Sequence, residues 1–155
     1  MIVAYRITKA RHAGHAFDGE GARRAGGRWN RPGLPVVYLG EGVAIATLEV
    51  LVHGPRARLL SDAYRLIRVG IPEDAALDLP EDSLPRGWAD PASHVVSAPI
   101  GSQWLEEGAS LALRVPSAVV PFERNILLNP AHEDVARLEI GEPQRFLFDE
   151  RLARG

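Results

Sequence analysis

Hydrophobic residues in this chain fall into short runs that are separated by glycine, proline and charged residues. Apolar and polar positions alternate over residues 2–8, which predicts a first strand with Arg6 on one face. Apolar residues at helical spacing predict a helix over 41–53, and a second short helix is predicted over 100–108. Further apolar runs predict strands over residues 35–39, 63–71, 111–115, 118–121, 125–129, 135–140 and 144–148.

Two longer stretches lack a clear hydrophobic period. Residues 9–27 are rich in glycine, alanine and charge, which predicts a short helix or a loop. The proline-rich stretch 72–99 predicts a connection that contains one short helix at most. Short strands outnumber helices and no linker divides the chain, so the pattern predicts an α+β fold in a single domain over residues 1–155.

Composition narrows the possible functions. With 46% hydrophobic and 25% charged residues, the chain is typical of a soluble globular protein. A formal net charge of −2 supplies no global positive field, so we expect no direct binding of nucleic acid or of an anionic membrane. No apolar run reaches the ~20 residues of a membrane span, and the N-terminus is typical of a strand rather than a signal peptide. We therefore expect a cytoplasmic protein.

Several kinds of site are excluded or disfavoured by the residues available. Cysteine is absent, which excludes disulfides, a thiol nucleophile and a cysteine zinc site. The histidines are scattered, and His12 and His15 have no third ligand at metal-binding spacing, so we expect no metal. There is no P-loop, and no Gly-x-Gly-x-x-Gly precedes a helix. A nucleotide site in this chain must therefore be of another kind.

The segment Gly26-Gly27-Arg28-Trp29-Asn30 is the leading candidate for a ligand-binding loop. Paired glycines allow the backbone to approach a ligand closely, and arginine can grip a phosphate group through two nitrogens. The alternative, an ordinary surface arginine in a loop, has equal weight when the loop is taken alone. Trp29 fits either the hydrophobic core or an aromatic wall of a site.

Tyr38 lies ten residues beyond Arg28, and Glu49 follows eleven residues later. The ring of Tyr38 can stack on a nicotinamide or an adenine, or its hydroxyl can simply face solvent. A lone glutamate on a helix usually lies on the solvated face. Placed beside a ribose, however, Glu49 can stabilise the positive charge that forms as an N-glycosidic bond breaks. The three residues together suit a site that holds and cleaves a pyrophosphate-linked nucleotide.

Ser117 is a weaker candidate on sequence grounds. It follows Pro116, and this pair predicts a fixed kink that points a hydroxyl group at a ligand. No Gly-x-Ser-x-Gly elbow is present, and nothing in the spacing pairs Ser117 with His53 or His132. A structural role for this serine therefore stays open.

Taken in order, these segments resemble the RES family, whose members are toxins of bacterial type II toxin–antitoxin modules. The resemblance extends over nearly the whole chain. The segments that carry it include Tyr5-Arg6-Ile7, Gly26-Gly27-Arg28-Trp29-Asn30, Val36-Val37-Tyr38-Leu39, Leu48-Glu49-Val50-Leu51-Val52-His53, Gly101-Ser102-Gln103-Trp104-Leu105, Val115-Pro116-Ser117-Ala118 and Leu128-Asn129-Pro130-Ala131-His132.

This resemblance implies an ADP-ribosyltransferase-like fold, in which short helices flank a mixed β core, and NAD as the substrate. It places the arginine, tyrosine, glutamate and serine that act in catalysis on Arg28, Tyr38, Glu49 and Ser117. The residues expected to bind NAD are Arg6, Gly27, Arg28, Tyr38 and Asn125. The chain departs from the family pattern at Arg31, where a small or polar residue is more common.

The resemblance also implies a function and a partner. The expected activity is cleavage of the nicotinamide–ribose bond of NAD by water or by phosphate, which depletes NAD. ADP-ribosylation of a host protein is an alternative, and a non-catalytic nucleotide-binding or docking module is another. The expected partner is an Xre-like antitoxin that covers the active site and itself binds DNA, in a complex with several subunits.

Overall fold

The computed structural model describes residues 1–154 and places an eight-stranded sheet at the centre of the fold. The strands are β1 (Ile2–Lys9), β2 (Val37–Gly40), β3 (Tyr64–Ile71), β4 (Ala76–Asp78), β5 (Ala112–Pro116), β6 (Arg124–Leu128), β7 (Glu139–Ile140) and β8 (Gln144–Phe146). Their order across the sheet is β4-β5-β6-β2-β1-β3-β7, and β8 also pairs with β3. Neighbours are antiparallel except for the parallel pair β4–β5.

Alternation along the central strands separates two apolar layers. Val37 and Leu39 of β2 pack in one cluster with Ile126 and Leu128 of β6. Leu127 packs into a second cluster, which also contains Trp29, Trp104 and Val115 and into which Tyr38 packs. Because Tyr38 alternates with Val37 and Leu39, the second cluster lies on the opposite face of the sheet.

Three α-helices complete the fold: α1 (Glu20–Ala25), α2 (Val43–His53) and α3 (Ala98–Glu107). The helix α3 buries Trp104 and Leu105 in the second cluster. The helix α2 buries Ala46 and Leu51 against Ile7 of β1. No helix within residues 1–154 is long and apolar enough to cross a membrane.

The fold confirms the predicted α+β class, but two predicted strands are wrong. Residues 118–121 form a turn, because Pro121 has no N–H to donate to a ladder and the chain must reverse between the antiparallel strands β5 and β6. The hydroxyl of Ser117 instead accepts the N–H groups of Val119 and Val120, at 3.1 and 3.0 Å. Most of the predicted strand 135–140 is different as well, since Glu133–Arg137 is a 3-10 helix and only Glu139–Ile140 joins the sheet.

The other differences are smaller. The predicted helix over 41–53 begins at Val43, and the one predicted over 100–108 spans Ala98–Glu107. The stretch 72–99, predicted to be a connection, contains the short strand β4 at the edge of the sheet. Residues 77 and 78 of β4 are exposed, so this strand lacks the apolar run by which buried strands are recognised.

Candidate functional site

A cleft of about 600 Å³ opens between β1, β2 and α2, and the segment 91–94 forms part of its wall. Its volume lies within the range of small-molecule sites. Six of the seven site residues predicted from the sequence line this cleft: Arg6, Gly27, Arg28, Tyr38, Glu49 and Asn125. Ser117 does not line the cleft, although its neighbours Ala118 and Val119 do.

Arg28 links its own loop to a distant segment. Its Nη1 donates to the carbonyl oxygen of Trp88 at 2.8 Å, and its Nη2 donates to that of Asp90 at 3.0 Å. The hydroxyl of Ser97 in turn donates to the carbonyl oxygen of Arg28 at 2.5 Å. Arg28 therefore lines the cleft and also holds the segment that closes one side of it. Its remaining N–H groups are available to a ligand.

Trp29 belongs mainly to the hydrophobic core, although it also contributes to the lining of the cleft. Its side chain is only 2% exposed and stacks on Trp88, with ring centroids 5.7 Å apart and planes at 29°. This stacking and the two bonds from Arg28 act on the same segment, so the loop 26–30 and the segment 88–97 form one packed unit.

Tyr38 is fixed at both its ring and its hydroxyl. The hydroxyl donates to Oδ1 of Asn30 at 2.6 Å and accepts the N–H of Trp29 at 3.0 Å. Burial raises the pKa of Tyr38 to about 12, so the hydroxyl stays protonated at neutral pH. Gly27 lies directly against it, because a Cβ at residue 27 would be 2.8 Å from the Tyr38 oxygen. The glycine is therefore required by close packing in the cleft wall.

Glu49 is partly buried in the cleft, and each of its carboxylate oxygens has a partner. Nδ2 of Asn125 donates to Oε1 at 2.9 Å, and Nε2 of His53 lies 3.2 Å from Oε2. Burial acts to raise the pKa of Glu49, but the bonds from His53 and Asn125, with help from Arg28, outweigh it and hold that pKa below its ordinary value. The carboxylate is therefore ionised at neutral pH inside the cleft.

Arg6 lies where β1 and β2 meet. These strands pair at Tyr5 and Gly40, and Nη1 of Arg6 donates to the carbonyl oxygen of Tyr38 at 3.1 Å. Burial lowers the pKa of the Arg6 guanidinium, which nevertheless remains charged. Its Nε and Oδ1 of Asn125 are buried without a hydrogen-bond partner among residues 1–154. Buried polar groups normally have partners, so this part of the fold holds one donor and one acceptor whose hydrogen-bonding capacity the described residues leave unused.

Ser117 stabilises the turn after β5. Its side chain is buried, and its oxygen already accepts two backbone N–H groups. The hydroxyl thus shapes the chain that presents Ala118 and Val119 to the cleft. This geometry gives Ser117 a structural part in the site, and its nominated catalytic role stays a prediction.

Two histidines of the cleft were not nominated as site residues from the sequence. His53 is four residues beyond Glu49 on α2, and an i, i+4 spacing places both on one helix face, so the pattern contained the signal. His94 enters from the distant segment 88–97, and no local pattern indicates that. Burial and the charge of Arg28 lower the pKa of His94, whereas the bond to Glu49 raises the pKa of His53.

The cleft therefore contains two arginines, one ionised carboxylate and two histidines. Within residues 1–154 no group of three or more histidine, aspartate or glutamate side chains is placed to hold a metal ion. The arrangement can bind an anionic ligand through the arginines and stabilise a developing positive charge through Glu49.

Known proteins resemble this chain in sequence and in fold. The model of a family described as the RES domain matches residues 3–149. A protein named Toxin Res from Photorhabdus laumondii is 39% identical over 153 residues, which cover 94% of this chain and 97% of that protein. A protein of Sphingobium sp. named Prs ADP-ribosylating toxin is 38% identical over 142 residues, 89% of this chain and 87% of that protein.

A third relative has a solved structure. The NAD(+) phosphorylase MbcT of Mycobacterium tuberculosis is 41% identical over 81 residues, which cover 48% of this chain and 42% of that protein. The crystal structure of the M. tuberculosis MbcT–MbcA toxin–antitoxin complex matches with a TM-score of 0.78 at 24% identity. This match covers 94% of the present chain and 84% of the solved one, and it shows a shared fold.

Proposed function

Because the chain belongs to the RES family, we propose that it is the toxin of a toxin–antitoxin module and that it cleaves the nicotinamide–ribose bond of NAD. Relatives of nearly the same length carry the names Toxin Res and Prs ADP-ribosylating toxin. The name of the relative called NAD(+) phosphorylase supports NAD as the substrate. The proposal rests above all on one observation. Glu49 is an ionised carboxylate that two hydrogen-bonding partners hold inside a cleft lined by Arg6 and Arg28.

The charges of the cleft suit the groups of NAD. The pyrophosphate is anionic, and charge-assisted bonds from arginine to phosphate are among the stronger polar contacts. The guanidinium groups of Arg6 and Arg28, which both line the cleft, are the donors for it. Asn125 also lines the cleft and is the polar side chain proposed to face a ribose hydroxyl. No metal is needed for these contacts.

The proposed chemistry depends on charge stabilisation by Glu49. As the bond from C1′ to the nicotinamide nitrogen breaks, positive charge develops on the ribose, and nicotinamide leaves as a neutral molecule. The carboxylate stabilises this charge, as carboxylates do at oxocarbenium-like transition states. The hydroxyl of Tyr38 is already bonded to Asn30 and Trp29, so its ring is the part that faces the nicotinamide end. A nucleophile then attacks C1′ to complete the reaction.

The acceptor distinguishes three versions of this activity. Water would give free ADP-ribose, phosphate would give a phosphorylated ADP-ribose, and a protein side chain would give a modified protein. The name of the M. tuberculosis relative favours phosphate. ADP-ribosylation of a protein is the second candidate, since the relative named for that activity is 38% identical and matches 89% of this chain.

We further propose that an Xre-like antitoxin covers the cleft, in a cytoplasmic complex of several subunits. An enzyme that consumes NAD harms its own host, which requires an inhibitor. Apolar side chains at the mouth support a protein partner there, since Val52 is 56% and Val119 is 36% exposed and both line the cleft. Phe122, at the tip of the same turn as Val119, is fully exposed. With a net charge of −2, the toxin would leave DNA binding to the antitoxin.

Product analysis tests the activity. Purified protein is incubated with NAD, with and without inorganic phosphate, and nicotinamide and the ADP-ribose product are identified by mass spectrometry. We expect nicotinamide release in both samples and a phosphorylated product where phosphate is present. A preparation that binds NAD, as a thermal shift would show, but releases no nicotinamide under any condition would support the non-catalytic alternative and overturn the proposal.

A further inference from the structure

We propose that His53 is a positioning residue that, together with Asn125, holds the carboxylate of Glu49 in one orientation for the reaction. This inference rests on the proposed cleavage of NAD. It assigns a role to a residue of the cleft wall that otherwise has none in the mechanism.

The two donors approach the carboxylate from different elements. His53 lies one helical turn beyond Glu49 on α2, and its Nε2 is 3.2 Å from Oε2. Asn125 lies on β6, and its Nδ2 is 2.9 Å from Oε1. Because each oxygen is bonded to a separate donor, the carboxylate plane cannot rotate without breaking one of the two contacts. A carboxylate oxygen accepts more than one hydrogen bond, so both oxygens can still face a ribose.

The position of His53 at the end of α2 favours its charged form. The helix ends at His53, and the partial negative charge of a helix C-terminus attracts a cation. Glu49 acts in the same direction, and the bond to Glu49 is the main cause of the raised pKa of His53. Other groups facing the pair are Arg28 from the loop before β2, which opposes the charge on His53, His94 from the segment 88–97 and Tyr38 from β2.

The pair is more than a solvated contact on a helix surface. The side chain of His53 is 62% exposed, whereas that of Glu49 is 26% exposed and lies in the cleft. The histidine thus connects the half-buried carboxylate to the cleft mouth without occupying the interior. Removing the imidazole leaves room for NAD but frees one carboxylate oxygen, so the loss should appear in turnover more than in binding.

Three variants test this role by steady-state kinetics of nicotinamide release as a function of pH. His53→Ala removes the donor, and His53→Gln keeps an N–H donor but cannot carry a charge. His12→Gln is the matched control, because His12 is exposed and lies outside the cleft. We expect His53→Ala to lower kcat roughly tenfold or more, as misplaced catalytic groups do, with KM for NAD changed about twofold at most. His53→Gln should recover much of the lost kcat.

The pH profile separates positioning from general loss of structure. Without the cation at residue 53, the pKa of Glu49 should rise, so the acid limb of kcat/KM should move to higher pH in His53→Gln. The His12→Gln control should keep the wild-type profile. Wild-type kcat and an unshifted acid limb in both His53 variants would overturn the inference.

A second readout does not depend on activity. The pKa of the Glu49 carboxyl, followed by carbon NMR in selectively labelled protein, should be higher in His53→Gln than in wild type and unchanged in His12→Gln. An equal pKa of Glu49 in all three proteins would overturn the inference. If the wild-type protein releases no nicotinamide, the proposed function fails, and the NMR titration still shows whether His53 acts on Glu49.

Discussion

The hydroxyl of Tyr38 donates a 2.6 Å hydrogen bond to Oδ1 of Asn30, and this bond joins the central strand β2 to the glycine-rich loop. The same oxygen accepts the N–H of Trp29 at 3.0 Å. Asn30 is itself 1% exposed, and its Nδ2 donates to the carbonyl oxygens of Ala22 and Leu34. The tyrosine is therefore part of the framework that shapes the cleft, in addition to forming its wall.

Tyr38→Phe should lower stability as well as activity. The change removes two hydrogen bonds and leaves the buried Oδ1 of Asn30 and N–H of Trp29 without this partner, which costs about 1–3 kcal/mol in the free energy of unfolding. Urea denaturation measures the difference. Tyr5→Phe is the control, since it removes a hydroxyl from the same cleft without breaking either bond. Equal stability of Tyr38→Phe and wild type would show that the loop is held by other contacts.

Gly27→Ala should damage the cleft through one methyl group. The new Cβ would lie 2.8 Å from the Tyr38 oxygen and 3.1 Å from Oδ1 of Asn30, so the bond between them must shift. Overpacking of this kind costs about 1–3 kcal/mol, and we expect slower nicotinamide release with it. Gly21→Ala is the matched control: it has open space around its Cβ and lies within α1, where alanine stabilises a helix by about 0.5–1 kcal/mol. Thermal denaturation should give a lower Tm for Gly27→Ala and a higher Tm for Gly21→Ala than for wild type.

Arg28→Lys should loosen the segment 88–94. Lysine keeps the positive charge but lacks the planar fork that reaches the carbonyl oxygens of Trp88 and Asp90 together. We expect faster amide hydrogen exchange in this segment and a higher KM for NAD. Arg31→Lys, at an exposed arginine paired with Glu106, should change neither. Unchanged exchange in Arg28→Lys would contradict the proposed link between the loop and the segment.

The Glu49–His53 pair should affect stability over a limited pH range. The pKa of Glu49 is lowered by folding, so its contribution is present above the ordinary value of 4.5 and is lost as the pH falls further. The pKa of His53 is raised by folding, so its contribution is present below the ordinary value of 6.5 and is lost as the pH rises through the higher folded value. The stability difference between wild type and His53→Gln should therefore peak between these two values.

The size of this difference should be small. His53 is largely exposed, and solvent screens the pair, so we expect less than about 1 kcal/mol. Urea denaturation of both proteins at several pH values measures it. A stability difference between wild type and His53→Gln that keeps growing above pH 7.5, by roughly the same amount per pH unit, would contradict a positive charge on His53 paired with a negative charge on Glu49.

Sequence patterns predicted the family, the α+β class and most of the strands. Comparison with known proteins confirms the RES family, and the names of the relatives agree with an NAD-directed toxin. Tyr38 and Glu49 lie on a strand and a helix that the hydrophobic pattern predicts, whereas Arg28 lies in the loop between α1 and β2, and the catalytic roles of all three stay predictions. The structure brings all three to one cleft.

Contacts between distant segments could not be predicted in the same way. Nothing in the local sequence shows that Arg28 binds the carbonyl oxygens of residues 88 and 90, because backbone acceptors look alike at every position. The apolar run 118–120 predicts a strand, but the segment forms a turn, and no local pattern shows that the hydroxyl of Ser117 binds its backbone. The contact between His53 and Glu49, by contrast, is indicated by their i, i+4 spacing on a predicted helix.

The most direct test compares nicotinamide release from NAD by wild type, Glu49→Gln and Glu142→Gln, after circular dichroism has shown that all three are folded. Glu142 is exposed and lies outside the cleft, so Glu142→Gln is the matched control. Glutamine keeps the shape of Glu49 and removes its charge, and loss of such electrostatic stabilisation costs about 10²–10³-fold in kcat. The account predicts at least this loss in Glu49→Gln and wild-type release in the control, whereas full activity of folded Glu49→Gln would contradict it.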